Sequence, residues 1–374
     1  MNRLVALDMP GDAKFVDAMK RIWDAGDAFA PIDQRLPTAA RVALLQELAP
    51  SAIIAADGTE TKLPGGRSVE VGDAIVIATS GSSGSPKGVV LTHDSIAASA
   101  AASNNRLGTT SSDHWLVCLP LSHVGGLSVI TRALHAKCQL TVHPSFDASL
   151  VEASARSGVT MTSLVATTLG RIDAALFRTI LLGGSAAPDS LPKNVVSTYG
   201  LTETGSGVVY DGVPLDGVEI RLSPDGEISV RAPMLFRCYR DGTNPKDSEG
   251  WFHTGDIGKF ASDGRLVVHG RRGDLIITGG ENVWPQQVEA VLGRHPRIRE
   301  VMVRGVPDSE WGQRVVAWIA TKENGVISLD EVRNWVKDSL PAYCAPKSIH
   351  ILGTLPRTTS GKIDVQRLPF STPE

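Results

Sequence analysis

Residues 79–89 read T-S-G-S-S-G-S-P-K-G-V and follow directly on the apolar, β-branched run A-I-V-I-A at 74–78. That order predicts a strand entering a loop whose backbone N–H groups can converge on an anion. Gly81 and Gly84 let the backbone approach closely. Thr79, Ser80, Ser82 and Ser83 add hydroxyl donors, and Lys87 adds a positive charge. Such a loop suits the phosphates of a nucleotide. The P-loop of kinases and GTPases needs Gly before its Lys and Ser or Thr after it, whereas here Pro86 precedes Lys87 and Gly88 follows. A flexible Gly/Ser linker has a similar composition. A linker would not be framed by A-I-V-I-A before it and V-V-L at 89–91 after it.

Size and charge narrow the alternatives. A chain of 374 residues suggests two or three domains with a large core. A formal net charge of −3 gives no electrostatic case for nucleic acid or an anionic membrane. No apolar run approaches the ~20 residues that cross a bilayer, so membrane insertion is not expected. Asp8 and Asp12 break the N-terminal apolar stretch, which therefore lacks a signal-peptide core. Cys118, Cys138, Cys238 and Cys344 are far apart, with no metal spacing or disulfide framework. The expected compartment is the cytoplasm. Oligomeric state is not readable.

Up to about residue 270, short apolar segments (115–119, 139–142, 179–182) alternate with Ala-rich helical ones (95–106, 150–157). This predicts a large α/β N-terminal domain, 1–270, with mixed sheets. Short strands and turns at 218–239, including S-P-D-G at 223–226, suggest a small β subdomain. A short hinge is expected at 271–274. Residues 275–374 then read as a small, mobile α+β C-terminal domain with helices at 284–294 and 329–340. Its strands are expected at 299–306, 314–321 and 347–352.

Four further stretches carry chemistry. At 181–188 (L-L-G-G-S-A-A-P) and 199–207 (Y-G-L-T-E-T-G-S-G), small residues leave room for a flat ligand. The Tyr199 ring could stack on a purine, and the Glu203 carboxylate could hold Mg²⁺. Either run alone could equally be a structural turn. In G-W-F-H-T-G-D-I-G (250–258) and H-G-R-R-G-D (269–274), Asp256 can accept from a ribose diol and Arg271 can donate to it. A surface ion pair is the plainer alternative. Gly279 and Gly280, in T-G-G-E-N-V, signal another close backbone approach. Lys362 lies in L-P-R-T-T-S-G-K-I-D, where an isolated lysine would be merely solvated. His123, in L-P-L-S-H-V-G-G-L, could be a core histidine near a helix start. His253 reads as structural.

These motifs, in this order from 79 to 364, resemble those of the adenylate-forming enzymes: acyl-CoA synthetases, luciferases and peptide-synthetase adenylation domains. The resemblance implies that Gly184, Ser185 and Ala186 border the adenine beside Tyr199 and Gly200. It places Thr202 at the phosphate and Glu203 at Mg²⁺, with the 79–87 loop on the β- and γ-phosphates and Asp256 and Arg271 on the ribose. Gly279 and Gly280 would line the channel for coenzyme A, Lys362 would be the catalytic lysine, and His123 would meet the carboxylate substrate. ATP, Mg²⁺, coenzyme A and a small carboxylic acid are thus the implied ligands. The implied reaction makes an acyl-adenylate, then a thioester, by positioning and charge stabilisation.

Two departures stand out. The region before Thr79 is short for the family, and Gly273 occupies the hinge position where Asp or Lys is common. Short chains of this kind resemble the o-succinylbenzoate–CoA ligases of menaquinone synthesis, as does V-Y-D-G-V-P-L-D-G-V at 209–218. That acid carries a second, unreacting carboxylate, which calls for a cation or several donors. Arg132, Ser122 and Ser128 are candidates, although Arg132 also reads as a solvated helix residue. Another acyl-CoA ligase, an adenylation enzyme that loads a carrier protein, and a non-catalytic nucleotide-binding protein remain the alternatives.

Overall fold

Strands buried on both faces read as unbroken apolar runs; Leu4–Asp8 and Ala28–Pro31 are of this kind, and Ala52–Ala55 is an apolar strand with one face more open. They pair in parallel at the centre of a seven-stranded sheet. Asp73–Ser80 joins them in parallel through Phe29 and Ile75, and Pro86–Thr92 then adds antiparallel. The sheet is therefore mixed. A computed structural model describes residues 2–80, 86–184, 190–322, 325–357 and 363–369.

A second seven-stranded sheet holds His114–Val117, Gln139–Val142, Met161–Leu164, Thr179–Leu182 and Val195–Leu201 in parallel. Ser206–Tyr210 closes back antiparallel on Val195–Leu201. Helix His93–Leu107 touches Pro86–Thr92 of the first sheet and Ser206–Tyr210 of the second. Its start is fixed by a reciprocal cap. Ser95 N–H donates to Thr92 Oγ1 at 3.1 Å, and Thr92 N–H donates to Ser95 Oγ at 3.0 Å. Its buried face is small apart from Asn104 (Ser95, Ser99, Ala100, Ala102, Ser103), so helix Val124–Ala136 can pack closely beside it. Gly126 is required at that helix start, because a Cβ would lie 2.5 Å from the Pro120 carbonyl oxygen.

Glu219–Leu222, Glu227–Arg231, Phe252–Phe260 and Leu266–Arg271 form a four-stranded sheet. The expected S-P-D-G turn is present, with Gly226 N–H donating to Ser223 O at 2.9 Å and Gly226 at φ 84°. Cys238–Tyr239 does not join this sheet. It pairs antiparallel with Pro86–Thr92, at the edge of the first one.

By internal contacts the chain divides into two compact units. One comprises Met1–Arg221, Ser229–His253 and Ala261–Leu266. The other comprises Leu222–Ile228, Thr254–Phe260 and Val267–Glu374. Three segments before 271 thus group with the C-terminal part, whereas the sequence suggested a single cut there. Within the second unit, Gly312–Thr321 is flanked by Ile298–Asp308 and Ile276–Thr278, with Ser348–Leu352 in parallel. Helix Pro285–Gly293 starts on its proline and helix Leu329–Lys337 on Ser328, whose Oγ accepts from Glu331 N–H at 3.2 Å. Both bury apolar faces in one core with Ile276, Val315 and Ile319. Among the described residues, no helix is long and apolar enough to cross a membrane.

Candidate functional site

Thr79 stands opposite Lys87 across an antiparallel strand pair. The strands on either side of the glycine-serine segment therefore pair antiparallel with each other, whereas a P-loop joins a strand to a helix. Gly81, Ser82, Ser83 and Gly84 lie outside the described residues, as does the side chain of Ser80. Thr79 Oγ1 donates to Lys87 O at 3.4 Å. The Lys87 ammonium lies 5.1 Å from the centroid of the Tyr239 ring, and the Tyr239 hydroxyl donates to Glu203 Oε1 at 3.0 Å. The hairpin lysine and the loop glutamate thus share one aromatic neighbour. Tyr239 was not singled out in the sequence, where R-C-Y-R carries no motif.

Glu203 sits on the short turn Thr202–Thr204, which is held from both sides. Phe236 N–H donates to Glu203 O at 2.8 Å. The buried Thr204 hydroxyl accepts from Leu201 N–H at 2.8 Å and lies 2.6 Å from Ser206 O. Among the described residues Glu203 makes no ion pair, and no three His, Cys, Asp or Glu cluster as a metal cage. One half-buried carboxylate suits Mg²⁺, which keeps several waters and takes its other ligands from phosphates. Gly200 must be glycine, because a Cβ would lie 2.2 Å from Ser206 O. Tyr199 is half-buried beside it, and Gly184 adopts φ 84°. Ser185 and Ala186 lie outside the described residues.

His123 immediately precedes helix Val124–Ala136, and its Nε2 lies 3.9 Å from Asp33 Oδ2. Burial raises the Asp33 carboxyl, but hydrogen bonds from Arg35 more than offset this and leave it below the ordinary aspartate value. Ser122 Oγ is buried without a partner among the described residues, whereas Ser128 Oγ donates to Gly125 O at 3.4 Å.

Arg132 is not a solvated helix residue. Only 3% of it is exposed. Its guanidinium bonds the Ser206 hydroxyl, reaches Ser163 Oγ at 3.5 Å and lies 5.7 Å from the Trp115 ring centroid. Its Nε has no partner, and no carboxylate pairs with it among the described residues. The sequence signal was available. V-G-G-L-S-V-I-T-R-A-L carries one charge among apolar and small residues, which marks a largely buried helix.

In the second unit, Asp256 and Arg271 bond each other, with Arg271 Nε donating to Asp256 Oδ1 at 2.8 Å. Arg271 Nη1 also donates to Thr254 O at 2.8 Å. Gly273 lies on the turn Arg272–Asp274, where a Cβ would meet nothing within 4 Å. Local sterics therefore do not demand glycine at that position. Gly279 and Gly280 both have positive φ, 58° and 84°. A Cβ on Gly279 would lie 2.7 Å from the Trp311 ring, over which Lys347 Nζ sits at 4.0 Å. Trp311 and Lys347 were likewise not singled out. Lys362 lies outside the described residues, next to a bridge between Arg357 and Ile363. His253 shares a hydrogen bond with Ser229 at 3.1 Å, in keeping with a structural role.

The model of the AMP-binding enzyme family matches residues 67–240, and that of the AMP-binding enzyme C-terminal domain matches 287–362. A probable 2-succinylbenzoate–CoA ligase of Mycobacterium tuberculosis is 39% identical over 325 residues, covering 80% of this chain and 84% of that protein. The solved structure of o-succinylbenzoate CoA synthetase from Bacillus subtilis in complex with its acyl-adenylate intermediate superposes with a TM-score of 0.88. It is 29% identical, and the match covers 99% of this chain and 88% of that one. The same enzyme with ATP and a magnesium ion gives 0.87, at 29% identity over 98% of this chain and 89% of that one. The hairpin lysine, the turn-borne glutamate and the two matched family models lead to one conclusion: the chain belongs to the AMP-binding, adenylate-forming enzyme family.

Proposed function

We propose that this chain ligates o-succinylbenzoate to coenzyme A, with ATP consumed to AMP and pyrophosphate. The observation that carries the choice of acid is Arg132, a buried guanidinium surrounded by hydroxyls and lacking an acidic partner among the described residues. A buried cation of this kind is stabilised by an anion that arrives with the substrate. The second carboxylate of o-succinylbenzoate is such an anion. Relatives at 37–39% identity that bear the name 2-succinylbenzoate–CoA ligase support the same reading.

In the first half-reaction a carboxylate oxygen of the acid attacks the α-phosphorus of ATP, and the bond to pyrophosphate breaks. In the second, the thiolate of coenzyme A attacks the acyl carbon and AMP departs. The bound Mg²⁺ would neutralise charge on the triphosphate. Glu203 would hold that ion, and Lys87 with the 79–84 loop would orient the β- and γ-phosphates. Thr202 would bond a phosphate oxygen, while Tyr199, Gly200 and Gly184–Ala186 border the adenine. Asp256 and Arg271 would take the ribose hydroxyls. Lys362 would hold the attacking carboxylate against the α-phosphate, and His123 would contact the acid. Gly279 and Gly280 would line the path of the pantetheine arm, and the 271–274 segment would be the hinge between the two half-reactions.

The test is pyrophosphate release and thioester formation with o-succinylbenzoate, benzoate and medium-chain fatty acids, each with and without coenzyme A. We expect o-succinylbenzoate to be preferred in kcat/KM by a hundredfold or more. A comparable preference for either monocarboxylate class overturns the choice of acid. Pyrophosphate release that never yields a CoA thioester overturns the ligase reading.

A further inference from the structure

Tyr239 was not singled out in the sequence, yet it touches Glu203 and Lys87, the two charged groups assigned above to the metal and the phosphates. Its hydroxyl donates to Glu203 Oε1 at 3.0 Å, and its ring carries the Lys87 ammonium 5.1 Å from the centroid. The bond to Glu203 is charge-assisted and directional, and the contact with Lys87 is a cation–π interaction that holds a flexible ammonium. Without the tyrosine, each side chain would sample several rotamers.

The residue is itself firmly placed. Tyr239 stands opposite Val89 on the strand that contains Lys87. Arg240, next in the chain, bonds the carbonyl oxygens of Leu48 at 3.0 Å, Ser68 at 2.8 Å, Ala49 at 3.5 Å and Arg67. On the inner side, the Phe236 ring packs 5.0 Å from the tyrosine ring, and Phe236 N–H holds the Glu203 backbone at 2.8 Å. One side chain on a rigid edge strand thus sets the separation between a carboxylate and an ammonium.

We propose that Tyr239 is a positioning residue that holds Glu203 for a divalent cation through its hydroxyl and Lys87 for phosphate through its ring. The proposal rests on the nucleotide part of the function above and is independent of which acid is activated. Its two contacts can be separated. Tyr239→Phe keeps the ring and removes the hydroxyl, whereas Tyr239→Leu removes both.

The measurement is ATP binding by titration calorimetry, without acid or coenzyme A, as a function of Mg²⁺, with thermal melts to verify folding. For Tyr239→Phe we expect metal-free ATP affinity within twofold of the unaltered chain and a Mg²⁺ requirement shifted upward five- to tenfold. Tyr239→Leu should show that same shift and also lose about fivefold in metal-free affinity. In Glu203→Gln, adding Tyr239→Phe should change the Mg²⁺ dependence no further. An unchanged Mg²⁺ dependence in Tyr239→Phe overturns this proposal alone, as does an additive loss in the double variant. ATP binding that ignores Mg²⁺ in the unaltered chain overturns the nucleotide reading as well.

Discussion

Arg132 and Arg271 are both arginines with a proposed ligand to hold, and their surroundings are opposite. Arg132 is buried among the hydroxyls of Ser163 and Ser206 with no carboxylate partner among the described residues. Arg271 is half-exposed and already bonded to Asp256 at 2.8 Å. A guanidinium cannot shed its proton near neutral pH, so burial without an anion leaves a charge that awaits one. An exposed, paired guanidinium loses little when a ligand comes or goes, because water screens it. The first environment favours selectivity for an anionic group. The second favours adjustable contacts to a neutral sugar.

Arg132→Leu is the strongest test of this contrast. It should cost about 10²–10³ in kcat/KM for o-succinylbenzoate, on the order of 3–4 kcal/mol, with a much smaller loss for benzoate. The melting temperature without ligand should hold or rise, since a buried charge without an anion is removed. Equal losses for both acids would break the comparison at its first term.

A third ionisable group, the half-buried Glu289, extends the comparison to a carboxylate. Burial pushes the Glu289 carboxyl up to about 7. Asp274 adds to this, while Val303 N–H and Arg304 oppose it. The folded state therefore favours the protonated form. That stabilising effect is complete below the ordinary glutamate value of 4.5 and is lost as pH rises through about 7. Between those limits, stability should fall by about 2–3 kcal/mol. Glu289→Gln should flatten that slope, which denaturant melts from pH 4.5 to 8 would reveal.

Smaller effects are expected at the pair of buried Asp256 and half-exposed Arg271. Asp256→Ala should raise the KM for ATP about tenfold and leave the KM for the acid within twofold, since hydrogen bonds to a charged group are worth about 1.5 kcal/mol. Arg271→Gln should raise the KM for ATP only severalfold. A double-variant cycle between them should yield a coupling below about 1 kcal/mol. A coupling of several kcal/mol would place Arg271 with Arg132, as a charge that depends on its partner.

Much of the fold was legible because it is written in local periodicity. Gln139–Val142 and Thr179–Leu182 are strands at the expected limits. Helix Leu329–Lys337 begins on the serine that marks its cap. Cys238–Tyr239 was misassigned to the small β region, because a two-residue edge strand has no periodicity to read. The same shortness concealed Tyr239, and Trp311 escaped notice because its contact is with Gly279, distant in sequence.

The sequence by itself determined the residue types at hand: a glycine-serine loop with one lysine, a glutamate on a small-residue turn, and an Asp and Arg after glycine-containing loops. Those depend on residue type and short-range order, which a chain carries before it folds. Only the tertiary structure decided which charges are shared and which are left alone. Tyr239 meets Lys87 and Glu203 because a strand near residue 239 pairs with one near residue 89. Arg132 is buried because its helix is enclosed, and Asp256 and Arg271 satisfy each other because neighbouring strands bring them to 2.8 Å. Burial and ion pairing depend on distance in space, and residues far apart along a chain acquire that distance only when it folds.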